Sequence, residues 1–203
     1  MIEMPRETAE EKLLRESRQR FLTFNQEDII SRFGLKHDED TLYITYLCQE
    51  YAIDRRTGVL TQNGREADSG EMAAVFELLT KSTASPSPVG TWASIAQLCT
   101  NTTTTGLEKY ARRLSPFDGD LPALAAACEK LGGTEAKGGD LSFVIPVFEG
   151  IPVWFQYWER DEEFDASVQF LWDNSITLHF RWATLWNIMD HLVDRLLEEK
   201  PKS

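Results

Sequence analysis

The residues best equipped for chemistry lie between Ile151 and His179. Glu159, Asp161, Glu162, Glu163 and Asp165 crowd one short loop, Asp173 follows eight residues later, and His179 stands just beyond. Like charges this close repel, and a folded chain tolerates them in water or around a cation. The plain reading is a solvated hairpin loop whose charges discourage edge-to-edge aggregation. The sharper reading is a binding site. There Trp154, Trp158 and Phe164 supply contact area, and the acids fix a small ligand, a cation or a basic protein surface.

Spacing tests the cation reading. Asp161, Glu163 and Asp165 alternate like the first ligands of an EF-hand loop, but Ala166 and Trp172 stand where that loop needs Gly and Glu. Any metal would need further ligands from elsewhere, so its ligand set is unknown. A catalytic reading pairs Glu159 and Asp173 with His179, since acid–base work needs two groups of separated pKa at one cleft. No GxSxG elbow, HExxH helix or Cys–His signature supports covalent or zinc catalysis. Gly133, Lys137 and Gly138 run from helix to strand, the reverse of a phosphate loop. No catalytic residue is assigned and no cofactor is expected.

The elements that position these residues follow from alternation. In Ile151–Trp158, Ile151, Val153, Phe155 and Tyr157 share one face, and in 167–172 Val168, Phe170 and Trp172 do the same. With 141–148 these make three antiparallel strands. Leu42, Ile44, Tyr46 and Cys48, then Tyr51 and Ile53, then Val59 and Thr61 predict an N-terminal meander ending at Asn63-Gly64. Asn25, Asp68 and Asp120 have cap character, Gly34 and Gly132 stop character, and Asp68–Glu71 has capping-box spacing. Residues 176–180 read as extended. The last helix, from about Ala183 to Glu199, carries a wide apolar face from Leu185 to Leu197 and should lie across the sheet. The expectation is therefore an α+β fold: an antiparallel sheet covered by helices. It forms one domain over residues 1–203, with the Ser/Pro-rich stretch 81–89 as an extended, poorly ordered alternative boundary.

Composition narrows the function classes. The chain of 203 residues is 42% apolar, enough to fold around a core, and its net charge of −12 opposes nucleic-acid binding. No apolar run reaches the ~20 residues that span a bilayer. The polar N-terminus reads as neither signal nor transit peptide, so the sequence predicts a cytoplasmic protein without membrane partners. Cys48, Cys99 and Cys128 are few and scattered, and read as small buried thiols. His191 reads as a surface or half-buried helix residue.

Several pieces occur in an order that resembles an uncharacterised prokaryotic family, the domain of unknown function 3786. They are Asp54–Gly58, Pro88–Trp92, Leu131–Gly133 with Gly139-Asp140, Ile151–Val153, Tyr157–Glu159, Asp161–Phe164 and Leu171–Asp173. The resemblance spans about residue 20 to the C-terminus. It implies kinship with proteins found mainly in anaerobic bacteria and archaea, some of which carry a four-cysteine iron–sulfur segment that this chain lacks. It implies no activity. Three functions remain open from the residues: a binding or accessory module built on the acidic loop, a structural component with tryptophans at a homo-oligomer contact, and a carboxylate-based hydrolase or lyase.

Overall fold

A computed structural model describes residues 9–98 and 106–200. Two five-stranded antiparallel sheets form the frame. The first is a meander of β1 (Lys36–His37), β2 (Thr41–Tyr46), β3 (Gln49–Asp54), β4 (Leu60–Gln62) and β5 (Arg65–Glu66), paired in sequence order. The second comprises β6 (Trp92–Ser94), β7 (Thr134–Glu135), β8 (Leu141–Phe148), β9 (Ile151–Trp158) and β10 (Ser167–Asp173), in the order β6-β10-β9-β8-β7. The three expected C-terminal strands are its centre. β6 and β7 pair at its edges from segments whose brevity hides them in the sequence. The meander and the C-terminal strands are thus separate sheets, not one.

Local chemistry sets the helix ends. α1 runs Ala9–Thr23 and α2 Gln26–Phe33. The Asn25 side chain accepts from the Glu27 N–H, and Gly34 closes α2 at φ 61°, a conformation that a residue with a Cβ adopts only at a cost. α3 (Ser69–Lys81) opens on a complete Asp68–Glu71 capping box. α4 (Ile95–Leu98) and α5 (Glu108–Arg113) are short. α6 (Leu121–Lys130) is capped by Asp120 with Pro122 in its first turn, where a missing N–H does no harm.

α7 (Trp182–Glu198) has its main-chain neighbours chiefly in α3, then α6 and α5, so it lies against helices more than across a sheet. Ile188, Leu192 and Val193 are wholly buried. Each such side chain contributes roughly 1.5–3 kcal/mol. The buried apolar residues of both sheets and the helices form one continuous cluster. The sheets meet where Tyr46 of β2 stacks on Phe148 of β8, centroids 4.8 Å apart, and where the Leu47 N–H donates to the Val147 carbonyl (2.9 Å).

Three local expectations change. Cys48 is not on the β2 face: β2 ends at Tyr46, and Leu47 and Cys48 form the hairpin turn, leaving Cys48 exposed. Cys128 is buried as expected, and Cys99 lies outside the described residues. Residues 174–178 form a 3-10 turn, because Asp173 caps the segment through the Ser175 N–H. The Ser/Pro-rich stretch is extended but fastened. Ser82 Oγ lies 2.9 Å from Nδ1 of His179, the Thr83 N–H donates to the Leu178 carbonyl, and the Val89 and Gly90 N–H groups donate to the Asp173 carboxylate (3.0 and 2.7 Å).

Candidate functional site

The acidic loop is where the sequence placed it, at the tip of the β9–β10 hairpin, with Asp161, Glu162, Glu163, Phe164 and Asp165 all exposed. Phe164 is 69% exposed. The loop is organised by its own backbone. Asp161 Oδ1 accepts from the Glu163 and Phe164 N–H groups (2.8 and 2.7 Å), which hold its carboxyl below the usual carboxylate range. Glu159 accepts from the Gly119 N–H, and its own N–H donates to Asp140. Trp154 donates to Ser142 Oγ (2.7 Å) and meets Trp92 edge to face at 5.6 Å. Trp154 and Trp158 are half-buried on the outer face of the sheet.

Asp173 and His179 do not join that loop. Asp173 ends the seven-residue β10 whose other end begins after the loop, a separation of about 20 Å at ~3.3 Å per residue. Both are 2% exposed. Burial pushes the Asp173 carboxyl up, but the donors Ser175, Val89 and Gly90 outweigh it and hold the carboxyl low. Burial pushes the His179 imidazole down. Besides Ser175 on Asp173, their partners lie in the 82–90 segment, so these two residues fasten a strap. Glu159, Asp173 and His179 therefore share no reaction centre. Among the described residues, no group of three or more His, Cys, Asp or Glu side chains is placed to hold a metal ion. Of the tryptophans, Trp172 is wholly buried, and only Trp182, 52% exposed, offers a large surface to another molecule.

The titratable groups that converge are elsewhere, around a cleft of about 430 Å³ between the β2–β3 and β4–β5 turns, the start of α3 and the C-terminal half of α7. Tyr46 Oη lies 2.8 Å from His191 Nδ1, and His191 Nε2 faces Asp68 at 3.6 Å. Burial drives the Tyr46 hydroxyl well above its ordinary pKa, so it stays protonated. The His191 imidazole is the main reason that the Asp68 carboxyl sits at about 2. Gly70 makes room for the ring: a Cβ there would fall 2.8 Å from His191 Cε1.

Beside them Glu71, its side chain only 9% exposed, accepts from Tyr51 Oη (2.6 Å), from Arg65 Nη1 and Nη2 (3.0 and 2.7 Å) and from the Asp68 N–H (2.7 Å). Burial alone would raise the Glu71 carboxyl, but these donors hold it below its ordinary value. Arg195 closes the cleft: with the Gln49 amide turned so that its oxygen faces the guanidinium, that oxygen accepts from Nη1 and Nη2 (2.6 and 2.8 Å), while the buried Nε has no hydrogen-bond partner among the described residues. A second lobe of about 480 Å³ adjoins across Gln49 and Arg195.

The rim is strained. Leu47 and Cys48 sit at φ 46° and 62°, both left-handed as a type I′ hairpin requires, yet neither is Gly, Asn or Asp. Asn63-Gly64 makes the facing turn at φ 49° and 79° with residue types suited to it. Left-handed non-glycine backbone persists where its surroundings impose it, and it clusters at ligand sites. Here the Leu47 N–H bond to Val147 and the burial of Leu47 impose it.

Sequence reasoning missed this site. Asp68 and Glu71 read only as a cap, and His191 only as a half-buried residue, which it is. The one available signal was the break in alternation between Tyr46 and Tyr51, which marks a turn lacking turn residues.

Two antiparallel sheets, a helical layer and a preorganised polar cleft beside their junction define an α+β module. The chain belongs to the family described as Domain of unknown function (DUF3786), whose model matches residues 25–195. No curated protein and no solved structure matches it. No helix among the described residues is long and apolar enough to cross a membrane.

Proposed function

We propose that the chain is a cytosolic binding module that holds a small polar ligand in the cleft around His191, Arg65 and Arg195. One observation carries the reading: Tyr46 and His191, and Tyr51, Arg65 and Glu71, are hydrogen-bonded to one another and fixed before any ligand arrives, which lowers the ordering cost of binding. Binding is favoured over catalysis because both His191 ring nitrogens face protein partners, Tyr46 and Asp68, and neither is free to act as a general base. The wall offers guanidinium and amide donors beside carboxylates, which suits a ligand bearing both acceptors and a cationic or donor group. The acidic loop, with Phe164 projecting from it, offers a second contact surface suited to a basic protein, at the far end of the second sheet from the strap.

The test is a thermal-shift screen with amino acids, nucleosides, sugar phosphates and dicarboxylates, run on the wild type and on a Gln62→Trp variant whose cleft is filled. A ligand at 100 times its Kd adds ~2.7 kcal/mol, a rise of several degrees for a chain of this size. The reading expects at least one compound that raises the melting temperature of the wild type alone. Equal responses from both proteins across the panel would remove the cleft from consideration.

A further inference from the structure

Another cleft, of about 580 Å³, lies on the other side of the sheet junction, between α2, β2, the strap at Ser85-Pro86 and the β8–β9 turn. Its volume falls within the ~300–1,000 Å³ of small-molecule sites. The floor is apolar, with Leu35, Ile44 and Phe148 buried in it. One wall carries Arg32. The other half-buried arginines, Arg18, Arg55, Arg113 and Arg195, each meet a carboxylate. Arg32 does not, among the described residues: its Nη1 donates to the Ser82 carbonyl (2.9 Å), and its guanidinium lies 6.0 Å from the Phe33 ring centroid.

A guanidinium held in place, partly out of water and without a counter-ion, is an incomplete ion pair in a chain with 33 acidic residues available to complete it. We infer that this cleft binds a monocarboxylate with an apolar body, its carboxylate on Arg32 and its body on Leu35, Ile44 and Phe148. Exposed Lys36 adds attraction at the mouth. Exposed Glu50 and Glu149 line the same mouth and repel a second negative charge, which selects monoanions over dianions. This inference is independent of the cleft around His191, and none of its test residues lines that cleft.

Decanoate, below its micelle concentration, is the probe for isothermal titration calorimetry, with decyltrimethylammonium as the same tail under a cation and acetate as the head alone. The expected result is one decanoate per chain, bound at least tenfold more tightly than either control. Arg32→Gln should weaken decanoate about tenfold and leave decyltrimethylammonium unchanged. Ser85→Trp, an exposed position at the mouth, should abolish decanoate binding. Should Arg32→Gln fail to fold, Lys36→Gln on the exposed rim is expected to weaken decanoate by a few fold. No saturable binding, equal affinity for both decyl probes, acetate matching decanoate, or variants that bind decanoate like the wild type would each overturn the inference.

Discussion

Tyr46 and His191 share a 2.8 Å hydrogen bond across 145 residues of sequence. The bond ties the first sheet to the last helix, and the same Tyr46 ring stacks on Phe148 of the second sheet. One aromatic residue thus joins both sheets and α7 at the edge of the cleft. Replacing His191 with Ala leaves the buried Tyr46 hydroxyl without its partner, a loss of about 1–3 kcal/mol. A Tyr46→Phe/His191→Ala pair should lose less than the sum of the single changes in urea unfolding.

Gly70→Ala tests the ring position from outside the pair. Alanine gains roughly 1 kcal/mol over glycine inside a helix, but here its Cβ meets the His191 ring at 2.8 Å. Destabilisation is expected in the wild type and stabilisation in a His191→Ala background, where the space is open. Equal effects in both backgrounds would mean that the ring moves aside freely.

Asp68 should give the fold an acid limb. Its carboxyl titrates at about 2 in the folded chain against an ordinary 3.8. The unfolded state therefore takes up the proton first, and stability present above pH ~4 is lost as pH falls toward ~2. The side chain is more than half exposed, so solvent screens part of the effect. Asp68→Asn keeps a good helix cap while removing the charge. Its stability, followed by urea midpoints between pH 6 and 2, should fall less steeply than that of the wild type.

His179 titrates in a different window. Burial lowers its pKa from 6.5, so the folded state holds it neutral while the unfolded chain protonates first. Stability should decline as pH drops below about 6.5. His179→Gln should flatten that decline in melting curves recorded from pH 7.5 to 5. The same variant, or Asp173→Asn, should speed proteolytic cleavage within 83–89, because each removes a fastening of the strap.

Glu77 binds α3 to α7. Its side chain is 4% exposed and accepts from Lys81 (2.9 Å), Arg181 Nε (2.8 Å) and Thr184 Oγ1. Glu77→Ala should cost about 2–3 kcal/mol, below the ~3–5 of a fully buried pair, because Arg181 is 65% exposed and regains water. Chemical denaturation of the variant provides the measurement.

What the chain encodes locally was readable in its letters. The Asp68–Glu71 box, the Asn25 and Asp120 caps, the alternation in β8 to β10 and the apolar stripe of α7 each arise within a few residues, from bonds and periodicities that neighbours set. The α+β class follows from them. The assignment of Asp173 and His179 as partners of the acidic loop failed for the opposite reason. A strand places its two ends far apart, and adjacency in sequence says nothing about which end a carboxylate faces. The cleft around His191 was invisible because its groups come from β2, β3, β5, α3 and α7. Only packing against a common core brings Tyr46 to His191 and Arg65 to Glu71, and it also forces Leu47 and Cys48 into a turn that their own preferences disfavour.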